Sequence, residues 1–250
     1  MAYTTLSVQH GEVAELTFTT KRGALPPAFW RELPAALRDL AGARAVILRG
    51  ALADFSVGLD LVQTAPVLAA TQEKREDFFA LLSEMQGAME AVANFPAPVI
   101  AAVSGWCIGA GLELTLACDL RVCSREARFS LPEVKLGIVS DLGGLGRLPH
   151  LIGEGWARRL ALTGEAIDAA RAERLGLVSE VLGTPEEAVE KARALAGRMV
   201  ELPATTLHGI KRAMNARLDA EVQSHYRETG AWNAVFLSAE RVAGALKKSR

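Results

Sequence analysis

The chain lacks charge bias, paired cysteines and histidines at useful spacing, and each shortage excludes something. Twenty-eight basic residues against 29 acidic ones leave a formal net charge of -1. No excess of either sign argues for DNA, RNA or an anionic membrane as partner. The cysteines Cys107, Cys118 and Cys123 are odd in number and form no C-x-x-C pair. Buried thiols in a reducing compartment are expected, not a disulfide framework. His10, His150, His208 and His225 are scattered without metal-ligand spacing, so no metal is expected. The first residues show no basic start followed by an apolar stretch, which argues against a signal peptide and for the cytoplasm. Val99 to Ala117 is nearly apolar and of membrane-spanning length, yet Gly105, Gly109, Gly111 and Glu113 interrupt it. A buried strand leading into a buried helix is the expectation there. A G-x-S-x-G elbow is also missing, and no histidine neighbours a nucleophilic serine in sequence.

What is present is bulk: 250 residues, 50% of them hydrophobic, enough for one large core and a small helical appendage. Apolar runs at Tyr3–Val8 and Val13–Thr19 flank Gly11-Glu12 and predict a hairpin. Pro26 and Pro27 precede a helical spacing of Phe29, Leu33, Ala36, Leu37 and Leu40. Short apolar strands are predicted at 45–48, 98–103, 120–123 and 178–181, with helices over 73–95 and 110–117. The segment 61–72 is expected as a loop, and Leu160 through Leu177 as a helix pair. Helical patterns dominate from Pro185 onward. The sum is an α/β chain with a parallel sheet and crossover helices in its first two-thirds. Residues 1–202 form the expected core, and 203–250 a C-terminal helical region.

The chemistry concentrates in residues 103–119, where a strand enters a glycine turn and a helix opens with Glu113 in its first turn. The spacing G-x-x-x-G-x-G is not a dinucleotide fingerprint. Such a turn leaves an N–H of Ala110 or Gly111 outside the helix ladder at the positive end of the dipole, ready for an oxygen that gains charge. The Val57-Gly58-Leu59 loop can supply a second donor. A close-packed turn at a strand end explains the glycines equally well. Glu113 lies in an otherwise apolar helix, where a carboxylate is costly unless paired or functional; Arg121, Arg125 or Arg128 is available for a structural pair. Glu133 follows Leu131-Pro132 and is expected on a turn. Asp141 reads either as an N-cap or turn former, or as a third acid at the far end of a conjugated substrate. Carboxylates meeting over one pocket split their protonation, one acting as base and another as acid.

These residues resemble the enoyl-CoA hydratase/isomerase, or crotonase, family. The likeness runs from about Leu16 to the C-terminus and is strongest over 98–150. Phe55-Ser56-Val57-Gly58-Leu59-Asp60 matches the family's loop after the third strand, and Gly105–Glu113 matches the other half of its oxyanion hole. The resemblance implies backbone donors at Leu59 and Ala110, and a fold of strand–strand–helix units in a spiral. Glu113 and Glu133 match the glutamate pair of the hydratases. Asp141 stands where dienoyl-CoA isomerases carry aspartate and typical hydratases glycine. Cys107-Ile108-Gly109, Cys118-Asp119-Leu120-Arg121 and Arg147-Leu148-Pro149 also resemble the isomerase branch, whereas Glu113 is usually aspartate there.

The family's early Asn-Arg-Pro signature is replaced by Thr20-Lys21-Arg22. Lys21 and Lys211 are the candidates for contact with a CoA phosphate. The implied substrate is an acyl-CoA thioester, CoA entering with it and no further cofactor being needed. The implied assembly is a homotrimer or dimer of trimers, with the C-terminal helices covering their own site or a neighbour's. The resulting expectation is isomerisation of a 3,5-dienoyl-CoA to a 2,4-dienoyl-CoA. Hydration of a 2-enoyl-CoA is the alternative, and a non-catalytic CoA-thioester binding protein a third reading.

Overall fold

The structure is a computed structural model that describes residues 3–51, 53–71, 74–238, 240, 242 and 244. The chain opens with the hairpin β1 (Leu6–Gln9) and β2 (Val13–Phe18), antiparallel as expected. Helix α1 (Phe29–Asp39) then leads to β3 (Ala45–Gly50), which pairs parallel to β2. Two helices follow, α2 (Leu61–Thr71) and α3 (Arg75–Ala93), before β4 (Val99–Val103) and the short β5 (Trp106–Ile108). Next come α4 (Ala110–Ala117), β6 (Leu120–Ser124) and β7 (Arg128–Ser130). The one-turn α5 (Gly144–Arg147) and α6 (Pro149–Thr163) precede β8 (Ala166–Asp168), α7 (Ala169–Leu175) and β9 (Glu180–Leu182). Helices α8 (Pro185–Val200) and α9 (Ala204–Phe236) complete the described elements.

Two sheets result, a six-stranded one in the order β1-β2-β3-β4-β6-β9 and a three-stranded one in the order β5-β7-β8. All pairings from β2 to β9 in the larger sheet are parallel. Strand β4, Val-Ile-Ala-Ala-Val, is buried at every position, which its unbroken apolar run requires in a sheet covered on both faces. One face carries the main core around Phe18, Phe29, Trp30, Leu48 and Met89, and the other packs Ile47, Ile100 and Val122 against Ala192 and Ala196 of α8. This is the crotonase fold, an α/β spiral of strand–helix units with a C-terminal helical bundle.

Three elements differ from the sequence reading. Residues 61–71 form a helix rather than a loop. The Asp60 carboxylate caps it, accepting the N–H groups of Val62 and Gln63, and Pro66 is absorbed inside it. Residue 72 of the expected loop lies outside the described residues. Ile167 belongs to β8 instead of a helix, paired with Phe129 across the small sheet. The late segments around Leu207–Met214 and Trp232 join in one helix of 33 residues, and its expected continuation to Leu246 falls largely outside the described residues. Among the described residues no helix is long and apolar enough to cross a membrane.

Candidate active site

The site is assembled around the N-terminus of α4. Gly109 adopts φ 54° and ψ -125°, a conformation that an L-residue with a Cβ resists, and this lets β5 turn directly into the helix. Its own N–H donates to the Ser130 carbonyl of β7 at 3.0 Å, so the small sheet anchors the turn. Helix α4 is buried along its whole length. At its far end Arg121 donates to the carbonyls of Thr115 and Cys118 at 2.9 and 2.8 Å, and to Leu177. That places a buried guanidinium at the negative end of the helix dipole.

The segment 51–60 runs alongside β5. Phe55 and Ser56 donate to the carbonyls of Ser104 and Trp106, and Ile108 returns a bond to Ser56. The Ser56 hydroxyl donates to the Gly23 carbonyl at 2.6 Å and accepts the Gly58 N–H at 3.1 Å. Leu25 donates to the Gly58 carbonyl and Asp60 donates back to Leu25. These bonds leave the Leu59 N–H turned away from the segment it pairs with. Ala110 is the first residue of α4 and has no intrahelical acceptor. Among the described residues, neither N–H meets a hydrogen-bond acceptor. A Cβ on Gly58 would lie 2.9 Å from the Ile108 carbonyl oxygen and 3.6 Å from the Ala110 nitrogen, so the two loops touch.

Three carboxylates gather beside these donors. Glu113, one helical turn beyond Ala110, is 2% exposed. Its Oε1 accepts the N–H groups of Leu142 and Gly144 at 3.1 and 2.8 Å. None of the three arginines near it in sequence pairs with it; Arg121 is committed to carbonyls, so the structural ion pair is excluded. Glu133 opens a single helical turn after Pro132, over the α4 entrance: a Cβ on Gly109 would come within 2.8 Å of its Oε1. Its Oε2 is buried with no partner among the described residues. Asp141 neither caps nor makes a turn with its side chain; its Oδ2 accepts the Asn233 amide at 2.8 Å.

Burial, reinforced by the charges of Glu133 and Asp141, holds Glu113 well above the ordinary carboxylate range, against the pull of its two backbone donors. Burial pushes Glu133 up to about 7, with the hydroxyl of Ser140 opposing and the charge of Asp141 adding to the rise. Asp141 is raised by burial to about 6, and Asn233 pulls in the opposite direction. Three buried carboxyls, all raised and acting on one another through their charges, are suited to moving protons.

Sequence reasoning did not find Asn233, Ser140, or the cluster of Glu90 with Arg147 and Tyr226. In that cluster Arg147 Nη2 and the Tyr226 hydroxyl both donate to Glu90 Oε1, at 2.8 and 2.9 Å. The cluster backs the 143–147 turn, since a Cβ on Gly143 would sit 3.1 Å from the Tyr226 oxygen. The only available signals were isolated polar residues within apolar helical stretches. Lys21 lies exposed in a helical turn whose next residues hold the Leu59 loop, through Val57 donating to the Arg22 carbonyl. Lys211 is buried, and its ammonium contacts Asp119 at 2.8 Å and the carbonyls of Ala97 and Val92. A contact with CoA there would have to break one of these. Among the described residues no group of three or more His, Cys, Asp or Glu could hold a metal ion, and the three cysteines are buried and unpaired.

Fold and site together define a spiral α/β protein with unpaired backbone donors facing a cluster of carboxylates. The pattern of the family described as Enoyl-CoA hydratase/isomerase matches residues 9–244, and the chain belongs to that family. A mitochondrial Delta(3,5)-Delta(2,4)-dienoyl-CoA isomerase of Dictyostelium discoideum is 34% identical, over 79% of this chain and 69% of that protein. A probable enoyl-CoA hydratase of Rhizobium meliloti (strain 1021) is also 34% identical, over 98% of this chain and 94% of its own. Among solved structures, an enoyl-CoA hydratase/isomerase from Mycobacterium paratuberculosis superposes with a TM-score of 0.87 at 25% identity, covering 98% of both chains. An enoyl-CoA hydratase from Bacillus anthracis gives 0.79 at 31% identity, over 99% of this chain and 97% of that one.

Proposed function

We propose that the protein isomerises 3,5-dienoyl-CoA to 2,4-dienoyl-CoA by carboxylate-mediated proton transfer. The observation that carries this reading is the presence of Asp141 beside Glu133 and Glu113 in one buried cluster next to two free backbone donors. The thioester oxygen lies between the N–H groups of Leu59 and Ala110, where the α4 dipole adds to the field. Polarised in this way, the acyl chain releases a proton more readily from C2, the saturated carbon between the carbonyl and the diene. One of Glu133 and Asp141 takes that proton; the C–H electrons shift through the diene, and the other returns a proton at the opposite end. No net proton is gained or lost. Glu113, fixed by the Leu142 and Gly144 N–H groups while burial and its acidic neighbours favour the protonated form, keeps a second full charge away from the developing trienolate.

Hydration of a 2-enoyl-CoA is the second reading, favoured by one observation: the residue at 113 is a glutamate paired spatially with Glu133. There the two glutamates orient and activate water, one as base and one as proton donor. Lys21, beside the Leu59 loop, is the proposed contact for a CoA phosphate, with Lys211 as the second candidate. No cofactor beyond the substrate's own CoA enters the scheme. Residues 1–202 carry the site and the region from 203 covers it.

A homotrimer or dimer of trimers is proposed because Trp232, Val235 and Phe236 of α9 are each more than half exposed, a face that a second copy would bury. Three unpaired thiols suit a cytoplasmic setting. The deciding experiment is a parallel assay of 3,5-dienoyl-CoA isomerisation and crotonyl-CoA hydration on one preparation. Faster isomerisation supports the first reading and faster hydration the second. Absence of both leaves a CoA-thioester binding protein.

A further inference from the structure

The last turns of α9 reach into the site of their own chain. Asn233 is 2% exposed, and its amide is fully engaged. Its Oδ1 accepts the Val139 N–H at 3.1 Å, and Nδ2 donates to the Val139 carbonyl at 2.7 Å and to Asp141 Oδ2 at 2.8 Å. The Val139 N–H can only donate, so it fixes which end of the amide is oxygen. Nδ2 therefore has to face Asp141, and Asp141 Oδ2 has to accept. A proton on that oxygen would meet an N–H head-on.

Apart from its own backbone N–H, the other groups around Asp141 do not favour its charge. Glu133 and Glu113 face it with carboxylates of their own. From α3, Gln86 donates to the Asp141 backbone carbonyl at 2.8 Å rather than to the carboxylate. Behind Gly143, Arg147 and Tyr226 spend their bonds on Glu90. Asn233 is the side chain that opposes the repulsion of two neighbouring acids.

We propose that Asn233 is a positioning residue, clamping the 139–141 segment and holding the Asp141 carboxyl in its ionised form. This rests on the reading of Asp141 as an acid of diene isomerisation. The C-terminal helix is then part of the chemistry of its own chain, beyond acting as a cover.

The test uses the full chain with Asn233→Ala and the similar-sized Asn233→Leu, which keeps most of the volume but loses the donors without adding a charge. The titration of the Asp141 carboxyl, followed by carbon-13 NMR of aspartate-labelled protein, is expected to move up by about one pH unit or more. The acid limb of kcat for 3,5-dienoyl-CoA should move with it, with kcat at pH 6 falling about tenfold and KM changing less than about threefold. In an Asp141→Asn background, Asn233→Ala should change kcat less than about twofold, because the partner is already gone. An unmoved carboxyl titration in both variants overturns the clamp. Equal losses of kcat with and without Asp141 overturn it too, leaving Asn233 a purely structural residue. Undiminished diene isomerisation by Asp141→Asn alone overturns the underlying reading instead, and the carboxyl titration tells the two failures apart.

Discussion

Glu133→Gln should lose turnover and gain stability, and the gain should depend on pH in one direction. Burial raises the Glu133 carboxyl from an ordinary 4.5 to about 7. Below pH 4.5 the group is protonated in folded and unfolded chains alike, and its burial carries no charge penalty. Between 4.5 and 7 the folded chain keeps a proton that the unfolded chain releases, so stability falls as pH rises. Above 7 the penalty is complete, on the order of 3 kcal/mol for a shift of this size at 1.36 kcal/mol per unit.

Glutamine removes that penalty but leaves a buried polar atom without a partner where Oε2 now stands, which costs about 1–3 kcal/mol. The net gain at pH 8 is therefore about 0–2 kcal/mol, or up to roughly 8 °C in thermal midpoint for a chain of this size. At pH 4.5, where the charge penalty is nearly absent, the variant should show a loss of about 1–3 kcal/mol. Circular dichroism melts of both proteins at pH 4.5 and pH 8, at equal concentration, measure the difference. A midpoint change of the same sign and size at both pH values would refute the argument that Glu133 is held in a charge-hostile environment. Near-normal turnover in the variant would remove Glu133 from the mechanism altogether.

Three further outcomes are expected. Asp141→Asn should reduce 3,5-dienoyl-CoA isomerisation by about 100-fold, the scale of a lost acid–base group, while hydration changes far less; equal effects on both would end the distinction between the two readings. Ser56→Ala removes the hydroxyl that links Gly23 to the Gly58 N–H, so it should lower stability by about 1–3 kcal/mol and weaken turnover through a displaced Leu59 donor. Chemical denaturation and kcat on the same samples check it, and an unchanged kcat would separate the loop from catalysis. Phe236→Glu places a charge in the apolar face of Trp232 and Val235, and light scattering after size exclusion should show a smaller assembly than the parent. An unchanged mass would place the subunit interface elsewhere.

Local pattern determined the elements whose burial is uniform or strictly periodic. Val99–Val103 and Ala110–Ala117 were legible because a covered strand and a fully buried helix leave few alternatives to an apolar run. The hairpin, α1 and β3 were legible for the same reason. Residues 61–71 were missed as a helix because their apolar residues show no clear helical stripe and Pro66 argues against one, whereas the cap at Asp60 is a single side chain. Strand β8 was missed because three residues borrow their conformation from a partner, β7, that lies 36 to 40 positions earlier in register (Arg128 against Asp168, Phe129 against Ile167, Ser130 against Ala166).

The acids and the glycine turn could be picked out from sequence because a carboxylate in an apolar helix and a turn of glycines are local anomalies. What those acids do was decided by neighbours that no spacing reveals. Glu113 is held by N–H groups 29 and 31 residues away, and Asp141 by an amide 92 residues away. Protonation depends on burial and on the distance between charges, and both are properties of the packed chain. The sequence alone therefore named the actors and their family. Only tertiary structure gave Glu113 its backbone donors and left Glu133 Oε2 without a partner among the described residues, set the three nearby arginines apart from Glu113, and brought Asn233 onto Asp141, because electrostatic energy depends on positions in space and not along the chain.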